Sequence, residues 1–188
     1  MFDFENDIEN CLKILRSGGV ILYPTDTIWG LGCDATNEEA VEKIIQLKNR
    51  PSEKSFVVLV ASERDVLKYT ASVDLSLFDY LDEQQNPTTV IYEHALGLAS
   101  NVVATNGSVA MRICRDEFCK HLIKRFQKPI VSTSANLSGE PAPKFYSEIN
   151  NIVKDGVDYR VHYRQQDNEP KMPSSIIKWN NGSIEKIR

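Results

Sequence analysis

Short runs of apolar and β-branched residues, separated by segments with helical spacing, constrain the fold of this chain most strongly. Each run is only four or five residues long, which is typical of a strand buried in a sheet. The helical segments between the runs alternate with them unevenly, and this indicates an α/β fold with a mixed sheet. The predicted strands are residues 20–23, 56–60, 88–92, 109–113, 129–132, 157–161, 175–179 and 184–187.

The last two predicted strands flank the sequence Asn180-Asn181-Gly182. An Asn-Gly pair tolerates the positive φ angles of a tight turn, so this segment predicts a β-hairpin. A hairpin joins antiparallel strands, and it therefore argues against a purely parallel, doubly wound sheet.

Apolar residues at helical spacing predict helices over 6–15, 36–48, 74–83 and 116–127. Thr36 and Glu39 have the spacing of a capping box at the start of the second helix. Ser62 and Asp65 predict the capped start of a further short helix.

Length and composition indicate one soluble domain over residues 1–188. The chain is 41% hydrophobic, and its 22 Lys and Arg residues against 26 Asp and Glu give a net charge of −4. This balance disfavours a uniformly basic nucleic-acid surface but permits a local basic pocket. No apolar run reaches the roughly 18 residues of a membrane helix, the first residues are acidic, and the four cysteines show no CxxC spacing. We therefore expect a cytoplasmic protein that does not bind membranes, with Cys33 a packing residue rather than a reactive thiol.

Three polar segments follow apolar elements, where open α/β sheets place their ligands. Residues 24–32 combine threonine hydroxyls with two glycines, residues 48–54 carry three cations at a helix end, and residues 129–139 crowd hydroxyls and an amide after a strand. Each also has a purely structural interpretation: a tight turn, a solvated helix C-terminus and a helix N-cap, respectively.

Residues 108–128 contain six cations and only two carboxylates. Strand alternation places Arg112 on the same face as Ser108 and Ala110. A cation on a strand of an acidic protein usually has an anionic partner, which is either a carboxylate of the protein or a ligand.

The sequence lacks a P-loop, a strand–GxGxxG–helix fingerprint, an HExxH motif, a kinase signature set, a GxSxG elbow and a His/Cys cluster with zinc spacing. The residues alone thus predict an α/β domain with a cationic, hydroxyl-lined pocket for an anion such as a nucleotide.

Five segments, in this order, resemble the YrdC-type threonylcarbamoyl-AMP synthase family in its short, single-domain form. They are residues 23–32 (YPTDTIWGLG), 48–51 (KNRP), 109–113 (VAMRI), 132–139 (STSANLSG) and 173–177 (PSSII). The resemblance implies a twisted mixed sheet, flanked by helices, around a deep positively charged cavity. It also implies a nucleotidyltransferase that converts L-threonine, bicarbonate and ATP to threonylcarbamoyl-AMP and pyrophosphate. The threonylcarbamoyl group is destined for adenosine 37 of tRNA.

The resemblance further implies the role of individual residues. Threonine would bind to Thr27, Arg112, Ser132 and Ser174, and ATP to Arg50, Lys54, Ser108, Ser134, Ala142 and Arg188; Lys48, Arg50 and Asn136 would be catalytic. Mg²⁺ is expected to enter with ATP, without a protein metal cage, and a separate tRNA threonylcarbamoyl transferase is the expected downstream partner.

Two alternatives remain open at this point. The same basic cavity would also suit a non-catalytic RNA-binding module in tRNA or ribosome maturation, with weak and salt-dependent RNA binding. A paralogue that adenylates a different carbamoylated substrate would carry the same motifs.

Overall fold

The computed structural model describes residues 3–50, 56–180 and 182–188. Its helices are α1 (Glu5–Arg16), α2 (Glu38–Lys48), α3 (Glu63–Tyr69), α4 (Ser76–Glu83), α5 (Glu117–Phe126) and α6 (Asn151–Asp155), with a 3-10 helix at Tyr146–Glu148. Its strands are β1 (Ile21–Tyr23), β2 (Gly30–Gly32), β3 (Val57–Val60), β4 (Thr88–Tyr92), β5 (Val109–Ile113), β6 (Ile130–Ser134), β7 (Tyr159–Arg160), β8 (Ser175–Asn180) and β9 (Ser183–Lys186).

These strands form one sheet in the order β7-β1-β2-β6-β3-β5-β4-β8-β9. The pairs β1–β7, β3–β5 and β4–β8 are parallel, and the remaining neighbours are antiparallel. The predicted mixed α/β architecture is confirmed.

The register of the central strands places polar side chains on one face. Val57 of β3 lies opposite Ala110 of β5 and Ser132 of β6, and Leu59 lies opposite Arg112 and Ile130. Because side chains alternate between the two faces of a strand, Arg112 and Ser132 face the same side of the sheet. The residues opposite them on this face are mostly aliphatic, so Arg112 and Ser132 form a polar site on a largely apolar face.

The apolar stripe of α1 packs against the sheet and α5. Ile8, Cys11, Leu12 and Leu15, the residues that predicted this helix, are all buried. None of the helices in the described ranges is both long enough and apolar enough to cross a membrane.

The start of α2 differs from the predicted capping box. Thr36 donates its hydroxyl to Oδ1 of Asp34 at 2.6 Å, whereas Oδ1 of Asn37 accepts the backbone N–H of Ala40 at 3.1 Å. The prediction that Thr36 caps this helix was therefore wrong, because Asp34 competes for its hydroxyl. The predicted cap of α3 is confirmed, since Oγ of Ser62 accepts the N–H of Asp65.

Strand β2 lies inside a segment that the sequence predicted only as a polar loop. Gly32 allows it to lie close to its neighbours: a Cβ atom there would be 2.6 Å from Cε1 of Tyr23 and 3.0 Å from the carbonyl oxygen of Val131. The two glycines of β2 lack a side chain, and this allows the neighbouring strands to approach closely.

The predicted C-terminal hairpin is confirmed, with Asn180 opposite Ser183 and Gly182 at φ +86°. The strand pairing continues to the last residue, because the backbone groups of Arg188 and Ile176 hydrogen-bond in both directions.

The four cysteines are free and buried. Burial, followed by the charge of Asp34, raises the pKa of Cys33, which fits a packing residue.

Candidate functional site

A cavity of about 300 Å³ opens on the polar face of the sheet, where the motif segments meet. Its walls come from the loop before β2, the end of α2, the strands β3, β5 and β6, the loop after β6 and the C-terminal hairpin. Eight predicted site residues line it: Thr27, Arg50, Arg112, Ser132, Ser134, Ala142, Ser174 and Arg188. Three of these eight are arginines, so the cavity can receive an anionic ligand.

The loop between β1 and β2 presents a buried hydroxyl to this cavity. The hydroxyl oxygens of Thr25 and Thr27 lie 3.0 Å apart, and Thr25 also donates to the carbonyl of Ile28 at 2.8 Å. Thr25 therefore closes the turn, as the structural interpretation of this segment required, while Thr27 faces the cavity. The structural interpretation of the segment thus holds for Thr25, whereas ligand binding by Thr27 stays a prediction.

Arg112 of β5 is buried and forms an ion pair with the protein itself. Its Nη2 atom lies 2.9 Å from Oδ1 of Asp26 and 3.3 Å from the hydroxyl oxygen of Thr27. Its Nε atom is buried and has no hydrogen-bond partner among the described residues. The guanidinium group is thus fixed in position, and its Nε donor is not used by any described residue.

Lys48, at the end of α2, is almost completely buried and does not line the cavity. Its ammonium group donates to the backbone carbonyls of Ser134 and Asn136. Burial, followed by the charge of Arg50, lowers the pKa of Lys48 to about 8. Lys48 therefore connects the cationic segment to the loop after β6, and its contacts are to backbone atoms of that loop.

Arg50 follows Asn49, the left-handed C-cap residue of α2, and lines the cavity. Its guanidinium carbon lies 4.6 Å from the centroid of the Phe56 ring, in a cation–π contact, and burial lowers its pKa. Lys54 lies outside the described residues, so its predicted position in the site has no structural counterpart here.

Asn136 lies beside the first cavity and lines a second one of about 390 Å³, which shares Ala142 with it. The Nδ2 atom of Asn136 donates to the carbonyls of Leu137 and Glu140, at 3.0 and 2.7 Å. Its Oδ1 atom is buried and unpartnered among the described residues. The side chain thus orders the loop and retains one free acceptor.

The C-terminal hairpin closes the opposite wall of the first cavity. The hydroxyl of Ser174 is 2.8 Å from that of Thr89 on β4, and Nη2 of Arg188 donates to the carbonyl of Ser174 at 3.0 Å.

Ser108 is not among the described residues that line the cavity, and its hydroxyl donates to Oδ1 of Asn106 at 2.7 Å. The structure therefore brings together all the predicted threonine-binding residues and most of the predicted ATP-binding residues.

Two contributing residues escaped the sequence analysis. Asp26, the carboxylate partner of Arg112, lies within a quoted motif, but nothing in the motif shows which cation it meets. Arg164 donates from Nη2 to the carbonyl of Thr25 at 2.7 Å and pairs with Asp116 at 2.6 Å, so it holds the loop that carries Thr27. Arg164 and Thr25 are 139 residues apart, and no local pattern signals such a contact.

Within the described ranges, no group of three or more His, Cys, Asp or Glu side chains is arranged to hold a metal ion.

Comparison with known proteins agrees with these motifs. The family model of the Sua5, YciO and YrdC proteins, described as "Telomere recombination", matches residues 13–188. The threonylcarbamoyl-AMP synthase of Psychromonas ingrahamii is 35% identical over 156 residues, which are 80% of each chain. That of Pseudoalteromonas translucida is 30% identical over 183 residues, 96% of this chain and 97% of the relative.

Solved structures share the fold. P. abyssi Sua5, crystallised with L-threonine, superposes with a TM-score of 0.85 at 21% identity and covers 98% of this chain, which spans 54% of that protein. Full-length HypF in its phosphate- and nucleotide-bound form gives a TM-score of 0.83 at 26% identity, over 96% of this chain and 28% of HypF. The family match over most of the sequence, together with the curated relatives, shows that this chain belongs to the Sua5/YciO/YrdC family.

Proposed function

We propose that the protein is an L-threonylcarbamoyladenylate synthase, a nucleotidyltransferase that uses L-threonine, bicarbonate and ATP. The observation that carries this proposal is the single cavity in which three arginines and five hydroxyl side chains converge. Two of the curated relatives, at 30% and 35% identity, are named threonylcarbamoyl-AMP synthase, and HypF, part of which shares this fold, has been solved in a phosphate- and nucleotide-bound form.

The proposed reaction has two steps. The threonine ammonium group first loses a proton, and the resulting amine attacks the carbon of bicarbonate; a C–N bond forms, a C–O bond breaks, and water leaves to give a carbamate. A carbamate oxygen then attacks the α-phosphorus of ATP, the bond from that phosphorus to the bridging oxygen breaks, and pyrophosphate leaves. Both reactants of the second step are anions, so fixed cations that align them and reduce their repulsion supply most of the catalysis.

Threonine would bind at the Arg112 side of the cavity. Its carboxylate would accept a hydrogen bond from Nε of Arg112, which has no other partner among the described residues. Thr27, Ser132 and Ser174 would surround the substrate with hydroxyl groups, because all three line the same walls. Charge-assisted hydrogen bonds of this kind are stronger than those between neutral groups.

ATP would occupy the side formed by Arg50 and Arg188, with Ser134 and Ala142 beside it. We assign Lys54 and Ser108 to the same nucleotide site on the family resemblance alone. Lys48 and Asn136 would act by holding the loop after β6 in place, since both side chains hydrogen-bond its backbone.

Mg²⁺ would enter as the ATP complex, because the described residues offer no cluster of three or more His, Cys, Asp or Glu side chains for it. When bound, it neutralises charge on the phosphates. We further propose that the protein works in the cytoplasm and passes the threonylcarbamoyl group to a separate transferase that modifies adenosine 37 of tRNA.

The test is to incubate the purified protein with Mg·ATP, bicarbonate and labelled threonine. The expected result is a labelled adenylate and an equal amount of pyrophosphate, with both absent when any one substrate is omitted. Salt-dependent RNA binding without turnover would instead favour an RNA-binding module. Turnover with serine or another amino acid, but not with threonine, would favour a paralogue with a different substrate.

A further inference from the structure

The ion pair between Arg112 and Asp26 lies between two cavities. Arg112 lines the cavity of about 300 Å³ described above, whereas Asp26 lines a neighbouring cavity of about 640 Å³ at the ends of β3 and β5. The two side chains are 5% and 10% exposed, respectively. A small ligand on Arg112 would therefore lie within reach of a carboxylate.

Each member of this pair has a polar atom that no described residue uses. Only Oδ1 of Asp26 meets Arg112, at 2.9 Å, and no other described residue forms an ion pair or a side-chain hydrogen bond with the Asp26 carboxylate. On the Arg112 side, Nε is the unpartnered atom. The pair thus offers an unused hydrogen-bond donor from a cation and an unused acceptor from an anion.

Charge balance determines which ligand suits this arrangement. Asp26 already neutralises Arg112, so a ligand that carries only a carboxylate would leave an excess negative charge in a buried place. Such an uncompensated buried charge is costly. A zwitterion adds no net charge, and an α-amino acid carries its two charges on groups attached to the same carbon.

We infer that Asp26 is the ammonium-recognising residue of the amino-acid site, with Arg112 as its carboxylate-recognising partner. This inference rests on the proposed function and adds to it the reason why an α-amino acid, rather than another small acid, is selected. Thr27, which contacts Nη2 of Arg112 at 3.3 Å, completes the site next to the ion pair.

The experiment compares two ligands by calorimetry in bicarbonate-free buffer, so that no carbamate forms. One is L-threonine, and the other is its α-hydroxy analogue of the same configuration, 2,3-dihydroxybutanoate, which keeps the carboxylate but lacks the ammonium group. Each is titrated into the wild-type protein and into the Asp26→Asn and Asp34→Asn variants. Asp34→Asn is the matched control, because Asp34 is also a buried carboxylate, paired with Lys128 at 2.6 Å, and it lines neither of these cavities.

We expect the wild-type protein and Asp34→Asn to bind threonine about 10- to 100-fold more tightly than the analogue. Asp26→Asn retains an oxygen that can accept from Arg112 but loses the charge, so it should reduce this preference to about threefold or less. The ATP dissociation constant should not change. The comparison of the two ligands on the wild-type protein does not depend on whether the variants fold. Equal affinity of the wild-type protein for the two ligands would by itself overturn the inference.

Two further results would also overturn it. Weaker binding of both ligands by the same factor in Asp26→Asn would mean that Asp26 only holds Arg112 in place. Tighter binding of both would mean that Asp26 competes with the substrate for Arg112. If the wild-type protein bound neither ligand, the proposed function itself would fail, and this result is distinct from the other two.

Discussion

The ammonium group of Lys48 hydrogen-bonds the backbone carbonyl of Ser134, 86 residues further along the chain. The same group donates to the carbonyl of Asn136. The cationic segment after α2 and the hydroxyl-rich loop after β6, which are separate motifs in the sequence, are therefore one structural unit. Lys48 connects the motif that carries Arg50 to the one that carries Ser134.

Replacing Lys48 by Met should therefore misplace the loop after β6. The buried carbonyls would lose their donor, and we expect the free energy of unfolding to fall by about 1–3 kcal/mol and adenylate formation by about 100-fold. Urea unfolding and the turnover assay measure the two effects. Lys43→Met is the matched control, because Lys43 also donates to a backbone carbonyl, that of Gly18, but at an exposed position of the same helix. Equal activity in both variants would show that the Lys48 contact is dispensable.

The stability that Lys48 confers should depend on pH. Burial lowers the pKa of Lys48 from 10.5 to about 8, so between these values the unfolded chain binds a proton that the folded protein has released. Raising the pH through this window favours the folded state. The difference in unfolding free energy between wild-type protein and Lys48→Met should grow by up to about 3 kcal/mol from pH 7 to pH 10. A difference that stays constant would mean that Lys48 keeps its ordinary pKa.

Arg188 should serve ATP rather than threonine. Replacing it by Ala removes a cation from the cavity wall, and we expect the ATP dissociation constant to rise about 10-fold while threonine affinity changes little. Lys186→Ala removes a cation from the exposed strand β9 and should alter neither. The two constants are measured by calorimetry, and an unchanged ATP affinity in Arg188→Ala would remove Arg188 from the nucleotide site.

Asp7 connects α1 to β7 and to the segment that follows β7. Its carboxylate accepts the hydroxyl of Tyr159 at 2.6 Å and the backbone N–H groups of His162 and Tyr163. Burial acts to raise the pKa of Asp7, but these hydrogen bonds outweigh it and lower the pKa below the ordinary 3.8. The contact therefore stabilises the fold above about pH 4, and this stabilisation is lost as the pH falls through the lowered pKa.

Asp7→Asn should accordingly reduce the unfolding free energy by about 1–3 kcal/mol at pH 7 and by progressively less below about pH 4. Asp155→Asn, a substitution in the more exposed Arg160 ion pair, is the control and should have little effect. Thermal unfolding of the wild-type protein and of both variants across this pH range measures these effects. A loss in Asp7→Asn that is the same at every pH would contradict the role of the carboxylate charge.

The elements that the sequence predicted are those with strong local signals. The apolar run at β5 predicts a strand, and the apolar stripe on α1 predicts a helix, each from residues that are close together in the sequence. Strand β2 has no such signal, because two of its three residues are glycine and its pairing with β1 and β6 is decided by distant parts of the chain. The N-cap of α2 was predicted one residue too early, at Thr36 instead of Asn37, because Asp34 engages the hydroxyl of Thr36.

The same limit applies to the candidate site. The sequence predicted an anionic partner for Arg112 and left open whether it is a carboxylate of the protein or a ligand. The structure identifies Asp26, 86 residues away, as a protein partner, and the unpartnered Nε of Arg112 leaves room for a ligand as well. Contacts across such separations depend on the register of the sheet, which no local pattern reveals.

The most direct test of the shared cavity is pyrophosphate release by the wild-type protein and by the Arg50→Ala and Arg112→Ala variants. The proposed mechanism predicts release by the wild-type protein only when ATP, threonine and bicarbonate are all present. It also predicts a loss of at least about 100-fold in each variant, with circular dichroism showing that both remain folded. Full threonine-dependent release by both folded variants would contradict it, because neither arginine could then bind a reactant.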